Sequence, residues 1–175
     1  MKVQPEELKA AVRDVIDFPQ KGIVFKDITP ILANPRLFQI AVECLASHHR
    51  GKNIDAVVGI DARGFIFAGA VAYKLGIGLI PVRKKGKLPY QTHSLSYDLE
   101  YGKAELEVHI DALRKGGNVI IVDDLLATGG TAGAAARLIE KVGGNVIGID
   151  FVIELTFLDG RKQLNGYPVT AAIQY

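Results

Sequence analysis

Cysteine is almost absent: Cys44 is the one thiol in 175 residues, so no internal disulfide can form. Its place in a helical apolar pattern with Ile40 and Leu45 marks it as packing, and a reducing compartment is expected. No apolar run approaches membrane-spanning length, and MKVQPEELKAAVRDVI carries charges throughout without a signal-peptide h-region. The chain therefore reads as cytoplasmic and free of a membrane. Charge of one sign is lacking too: 21 Lys and Arg stand against 19 Asp and Glu, a net of +2, which argues against nucleic acid as a partner. Repeats, low-complexity tracts and linkers are missing, so residues 1–175 read as a single domain, long enough to bury about 70% of its unfolded surface. Common nucleotide motifs are absent as well. The Gly-Lys pairs at Gly51 and Gly86 lack the Ser/Thr and upstream Gly of a P-loop, and Gly76-Ile77-Gly78 meets Pro81 where a dinucleotide fingerprint needs its third Gly. No Ser-His-Asp elbow or zinc-ligand spacing occurs.

What is present is organised around Val119 to Thr131, VIIVDDLLATGGT. Val119 to Val122 form an unbroken β-branched run after Gly116-Gly117, the pattern of a strand covered on both faces of a parallel sheet. It ends in Asp123 and Asp124. Because neighbours on a strand face opposite sides, the two carboxylates are expected to point apart and not to form an acid dyad. The following ATGGT offers small residues, two hydroxyls and a Gly pair ahead of a helical run from Ala132 to Val142, so its amides can close around an anion. Carboxylates beside a phosphate cradle would repel a bare polyphosphate but accept hydrogen bonds from vicinal hydroxyls, which suits a 5-phosphorylated ribose.

The rest of the chain alternates helices and strands. Pro5, Leu8, Ala11, Val12, Val15 and Ile16 predict an amphipathic helix, and Phe18 to Pro30, FPQKGIVFKDITP, an ordered loop. Asn34-Pro35 caps a helix that stops at His48 to Gly51, with His48 and His49 on a solvated end. Ile54 to Ile60 is a strand delivering Asp61-Ala62-Arg63-Gly64 ahead of a helix over Phe65 to Leu75. Arg63 there offers a fork for phosphate, or a structural pair for Asp61. The strand Ile77 to Val82 runs into Arg83, Lys84, Lys85 and Lys87 around Gly86. Leu95 to Leu99 and Ala104 to Val108, about a Tyr101-Gly102-Lys103 turn, predict an antiparallel hairpin outside the parallel sheet, with Glu100 near its tip. Asn145 to Leu155 and Val169 to Ile173 are further strands. The sum is an α/β fold with a central parallel sheet flanked by helices.

Strand, Asp-Asp and ATGGT together resemble the phosphoribosyl-pyrophosphate motif of the type I phosphoribosyltransferases. FPQKGIVFKDITP, GIDARGFIF, RKKGKLP, DLEYGKAELEVH, VDDLLATGGT and IELT resemble, in order, the blocks of the adenine phosphoribosyltransferase family. The resemblance implies transfer of phosphoribosyl from phosphoribosyl pyrophosphate to adenine, giving AMP and pyrophosphate, with Mg²⁺ held mainly by substrate, in a homodimer. It also implies that a flap (hood) over residues 84–108 covers the site and that the 18–30 loop serves the base. By position, Ala127, Thr128, Gly129, Gly130 and Thr131 would hold the 5-phosphate, and Asp123 and Asp124 the ribose hydroxyls. Arg63, Arg83, Lys84 and Lys87 would hold the pyrophosphate. Phe25 and Leu155 would sandwich adenine, with backbone near Val24 and Lys26 reading its edge. Glu100 and Arg63 would be catalytic. Tyr90 to Ser96 is the least family-like stretch. A transferase for another base, or a sensor retaining the fold, is the alternative.

Overall fold

The strand Asn118–Leu126 (β7) carries the core: Val119, Ile120, Ile121 and Val122 have no exposed surface. Its side chains alternate between two cores, as a period of two requires. Ile120 and Val122 pack with helices α3 (Pro35–Ser47) and α4 (Gly64–Leu75), whereas Val119 and Ile121 pack with α5 (Gly130–Lys141) on the other face. The computed structural model describes residues 5–98 and 103–175. Beside β7 lie β3 (Ala56–Ile60) and β8 (Asn145–Glu154), both parallel to it, then β4 (Gly78–Lys84) beyond β3 and β9 (Val169–Gln174) beyond β8. Each crossover, β3-α4-β4 and β7-α5-β8, returns the chain to the same end of the sheet, so the loops after β3 and β7 open side by side.

Helix boundaries follow local chemistry. Asn34 Oδ1 accepts the amides of Arg36 and Leu37 at the start of α3, and Gly76 in the left-handed region closes α4. The lone thiol of Cys44 is buried, which raises its pKa.

Several expectations need correction. The first helix (α1) covers only Pro5–Ala11; Arg13–Ile16 is a strand (β1) paired with Val24–Asp27 (β2), Val15 opposite Phe25. The residues at 8, 11, 12, 15 and 16 keep helical spacing, but the β-branched Val15 and Ile16 find a partner strand across a turn at Gly22 (φ +89°), a pairing no local pattern encodes. Four of the thirteen residues of the 18–30 loop are therefore strand, followed by a short helix (α2) at Thr29–Ala33. The hairpin Thr92–Asp98 (β5) and Lys103–His109 (β6) does not stand outside the sheet: β6 adds to the β4 edge through Arg83 opposite Glu107 and Lys84 opposite Leu106. His49 is not solvated. It is 4% exposed, its Nε2 is 2.6 Å from Asp150 Oδ2, and the Thr170 hydroxyl donates to the other carboxylate oxygen.

Candidate active site

Neighbouring parallel strands set the site. Gly59 of β3 pairs with Val122 of β7, and the β3–β7 pairing ends there, so Asp61-Ala62-Arg63 leaves β3 beside Asp123-Asp124, which remain on β7 against β8. Gly64 is required at this junction, because a Cβ there would lie 2.5 Å from Asp123 Oδ1. Arg63 begins α4 and reaches back: its Nε is 2.8 Å from Asp124 Oδ2, and its guanidinium lies 5.2 Å from the Phe25 ring centre. Asp124 Oδ2 takes no hydrogen bond, so charge alone holds that contact. Arg63 does not pair with Asp61; Asp61 instead receives Arg83 Nε at 3.0 Å.

The two aspartates are electrostatically joined. Asp123 Oδ1 accepts the Asp124 amide at 2.9 Å. Burial, then the adjacent Asp124 charge, pushes the Asp123 carboxyl well above its ordinary range, and burial raises Asp124 despite Arg63. The expectation of two independent carboxylates is thus corrected. Beyond Val122 the strand has lost its β3 neighbour while still paired with β8, and both residues border one cavity, so the charge on one bears directly on the other.

That cavity encloses about 670 Å³ and is lined by Arg63, Lys84, Lys85, Asp123 and Asp124 together with every residue from Ala127 to Thr131. Gly129 adopts φ +83° immediately before α5, whose first turn has no side-chain cap, leaving amides and the helix dipole to face an anion. The loop is clamped from behind: a Cβ on Gly129 would meet the Gly160 carbonyl at 2.2 Å, and a Cβ on Gly160 would meet the Ala127 carbonyl at 2.2 Å. Tyr97 of β5 reaches Thr131, oxygen to oxygen 3.2 Å.

The basic turn divides its cations. Arg83 is engaged with Asp61, the Lys87 carbonyl at 3.1 Å and the Phe65 ring, and Lys85 with Glu105 at 2.8 Å. Lys84 lines the cavity and is unpaired among the described residues; Arg83 and Lys87 do not line it.

A second, more apolar cavity of about 910 Å³ lies on the other side of Ala127 and Thr128. Val24, Lys26 and Leu155 line it, as do Asp14, Phe157 and Tyr175. Phe25 does not; its ring packs edge-on to Phe18 at 5.2 Å and beneath Arg63. Lys26 Nζ is 2.6 Å from Asp14 and 4.0 Å from the Tyr175 ring centre. Asp14, Tyr97, Gly160 and Tyr175 carry no local motif, so their approach to the site could not be read from sequence. Glu100 lies outside the described residues, as does the Tyr101-Gly102 part of the hairpin turn.

Comparison with known proteins agrees with this geometry. Residues 27–163 match the family model of the phosphoribosyl transferase domain. The chain is 53% identical over 175 residues, covering 100% of both chains, to an adenine phosphoribosyltransferase of Thermosipho melanesiensis. It superposes with a TM-score of 0.95 on the crystal structure of adenine phosphoribosyltransferase from Thermoanaerobacter pseudethanolicus, at 51% identity, covering 98% of this chain and 100% of that one. The Saccharomyces cerevisiae enzyme, solved with an iminoaltritol bisphosphate and adenine, matches with a TM-score of 0.92 at 43% identity, over 97% of this chain and 98% of that one.

Proposed function

Since the chain belongs to the phosphoribosyltransferase family, and within it to the adenine phosphoribosyltransferases, we propose that it transfers the 5-phosphoribosyl group of phosphoribosyl pyrophosphate to adenine, giving AMP and pyrophosphate. One observation carries the division of labour: a charged cavity and an apolar cavity meet at Ala127 and Thr128, so a sugar on one side faces a flat base on the other. Ala127 to Thr131 hold the 5-phosphate through backbone amides at the start of α5. Asp123 and Asp124 accept the ribose hydroxyls. The base lies against Leu155, with the Val24 and Lys26 backbone along its edge, while Phe25 stays outside this cavity lining, packed on Phe18 and beneath Arg63.

The purine nitrogen forms a bond to the anomeric carbon as the bond to pyrophosphate breaks, and the purine proton leaves. Positive charge grows on the ribose and negative charge on the departing oxygens, so fixed cations favour the transition state over the bound substrate. Arg63 lines the charged cavity and lies over the Phe25 ring, so it serves both ends of this change; Lys84 faces the leaving group from the same cavity, with Arg83 keeping its turn closed and Lys87 on that turn outside the cavity lining. Glu100 receives the purine proton. Asp124 Oδ2, a hard oxygen that takes no hydrogen bond but lies 2.8 Å from Arg63 Nε, would face a Mg²⁺ that would be held mainly by oxygens of the substrate and would neutralise the departing charge.

The protein acts in the cytoplasm; among the described residues no helix is long and apolar enough to cross a membrane. It works as a homodimer through α4, where Ile66 (44% exposed) and Tyr73 (91% exposed) lie two turns apart on one face beside the exposed Leu79 of β4. A panel of adenine, hypoxanthine, guanine and xanthine, assayed for pyrophosphate release, tests the reaction: turnover confined to adenine is expected, and release with another base alone would overturn it.

A further inference from the structure

The turn that carries the basic residues is shaped by a carboxylate beneath it. Glu107, on β6, is 4% exposed although it bears a charge. Its Oε1 accepts the amides of Lys87 and Leu88, each at 2.8 Å, and its Oε2 receives the Thr92 hydroxyl at 3.3 Å. The turn is fastened elsewhere by the Lys85 amide on the Glu105 carbonyl (3.0 Å) and by Arg83 on the Lys87 carbonyl, with Gly86 at φ +81° giving the reversal. Burial works to raise the Glu107 carboxyl, but the amides of Leu88, Gly86 and Lys87 and the Thr92 hydroxyl outweigh it and hold the group below its usual range, so it remains ionised.

We infer that Glu107 is a positioning residue for pyrophosphate: it gathers consecutive amides as an anion would, and so holds the 84–88 turn in the shape that presents Lys84 to the leaving group. The inference rests on the reading that this turn binds pyrophosphate. Two effects of Glu107 oppose each other, and their opposition makes the role testable. As a negative charge near the site it repels an incoming anion. As an anchor it keeps the cations in place, and a displacement of about 1 Å in such groups costs roughly 10²-fold. A residue acting by charge alone would, when neutralised, tighten pyrophosphate binding; an anchor, when removed, would loosen it.

The experiment is calorimetric titration of Mg²⁺-pyrophosphate, with KM measured for phosphoribosyl pyrophosphate and for adenine. Glu107→Gln keeps a side-chain carbonyl able to accept both amides while losing the charge, so its pyrophosphate Kd should equal that of the native protein or fall. Glu107→Ala loses the anchor and should raise the Kd and the phosphoribosyl pyrophosphate KM by about 10- to 100-fold, leaving the adenine KM unchanged. Tight binding by Glu107→Ala would overturn the inference. Should that variant fail to fold, a tenfold loss in Glu107→Gln would overturn it equally. Lys84→Ala separates the two readings: if it weakens pyrophosphate and Glu107→Ala does not, only the anchoring role fails. If Lys84→Ala leaves the Kd unchanged, the assignment of pyrophosphate to this turn fails with it.

Discussion

Replacing Gly160 with alanine perturbs the phosphate loop from a residue that touches no ligand in the proposed arrangement. The added Cβ would meet the Ala127 carbonyl at 2.2 Å and the Leu126 side chain at 2.9 and 3.1 Å. Opening the first contact to 3.0 Å, still tighter than ordinary packing, takes a shift of 0.8 Å, and the neighbour that must give is backbone rather than a flexible side chain. Overpacking of this kind costs about 1–3 kcal/mol, and for a chain of this size each 1 kcal/mol lowers Tm by roughly 2–4 °C. The functional effect should be larger than the loss of stability suggests. Ala127 opens the loop whose amides hold the 5-phosphate, and a displacement near 1 Å in a positioning group costs about 10²-fold in rate, equivalent to about 2.7 kcal/mol of transition-state stabilisation. Steady-state kinetics with each substrate varied in turn should show kcat/KM for phosphoribosyl pyrophosphate reduced by about two orders of magnitude. A Gly160→Ala protein with lowered Tm but native kcat/KM for phosphoribosyl pyrophosphate would refute the claim that this turn fixes the cradle.

Two further outcomes follow from the same cavity. The Asp123 carboxyl is raised in the folded state by burial and by the Asp124 charge. A raised acid stabilises the fold fully below its unfolded pKa and loses that contribution as pH climbs through the folded value. Asp123→Asn should therefore raise Tm at pH 8, with a gain that shrinks toward pH 4, while phosphoribosyl pyrophosphate binding is lost; thermal melts across that range check it, and a Tm difference independent of pH would contradict it. Glu100→Ala should lower kcat by about 10²–10⁴-fold and leave phosphoribosyl pyrophosphate affinity unaltered, so native turnover in a stopped-flow assay would remove its proton-accepting role.

Much of this architecture was legible because it is local. Four β-branched residues in a row gave a doubly covered strand, Asn34-Pro35 gave a helix start, and Asp-Asp-x-x-Ala-Thr-Gly-Gly-Thr gave both halves of a sugar-phosphate site. Helical period at residues 8 to 16 misled, since Val15 and Ile16 answer to Phe25 and Val24 on the next strand. His49 looked like a solvated helix end because its partner, Asp150, is 101 positions distant.

By itself the sequence determined the strands and helices of the central sheet, though not the β1–β2 pair, and which residue types follow those strands, since these depend on short-range sterics and periodicity. Tertiary structure decided the rest. It brought Asp123 and Asp124 into one low-dielectric cavity where their charges interact, paired Asp124 with Arg63 and Asp61 with Arg83, and set Gly160 behind the cradle and Glu107 beneath the basic turn. Those relations depend on distances through space across strands remote in the chain, and electrostatics and close packing act on such distances whatever the separation in sequence.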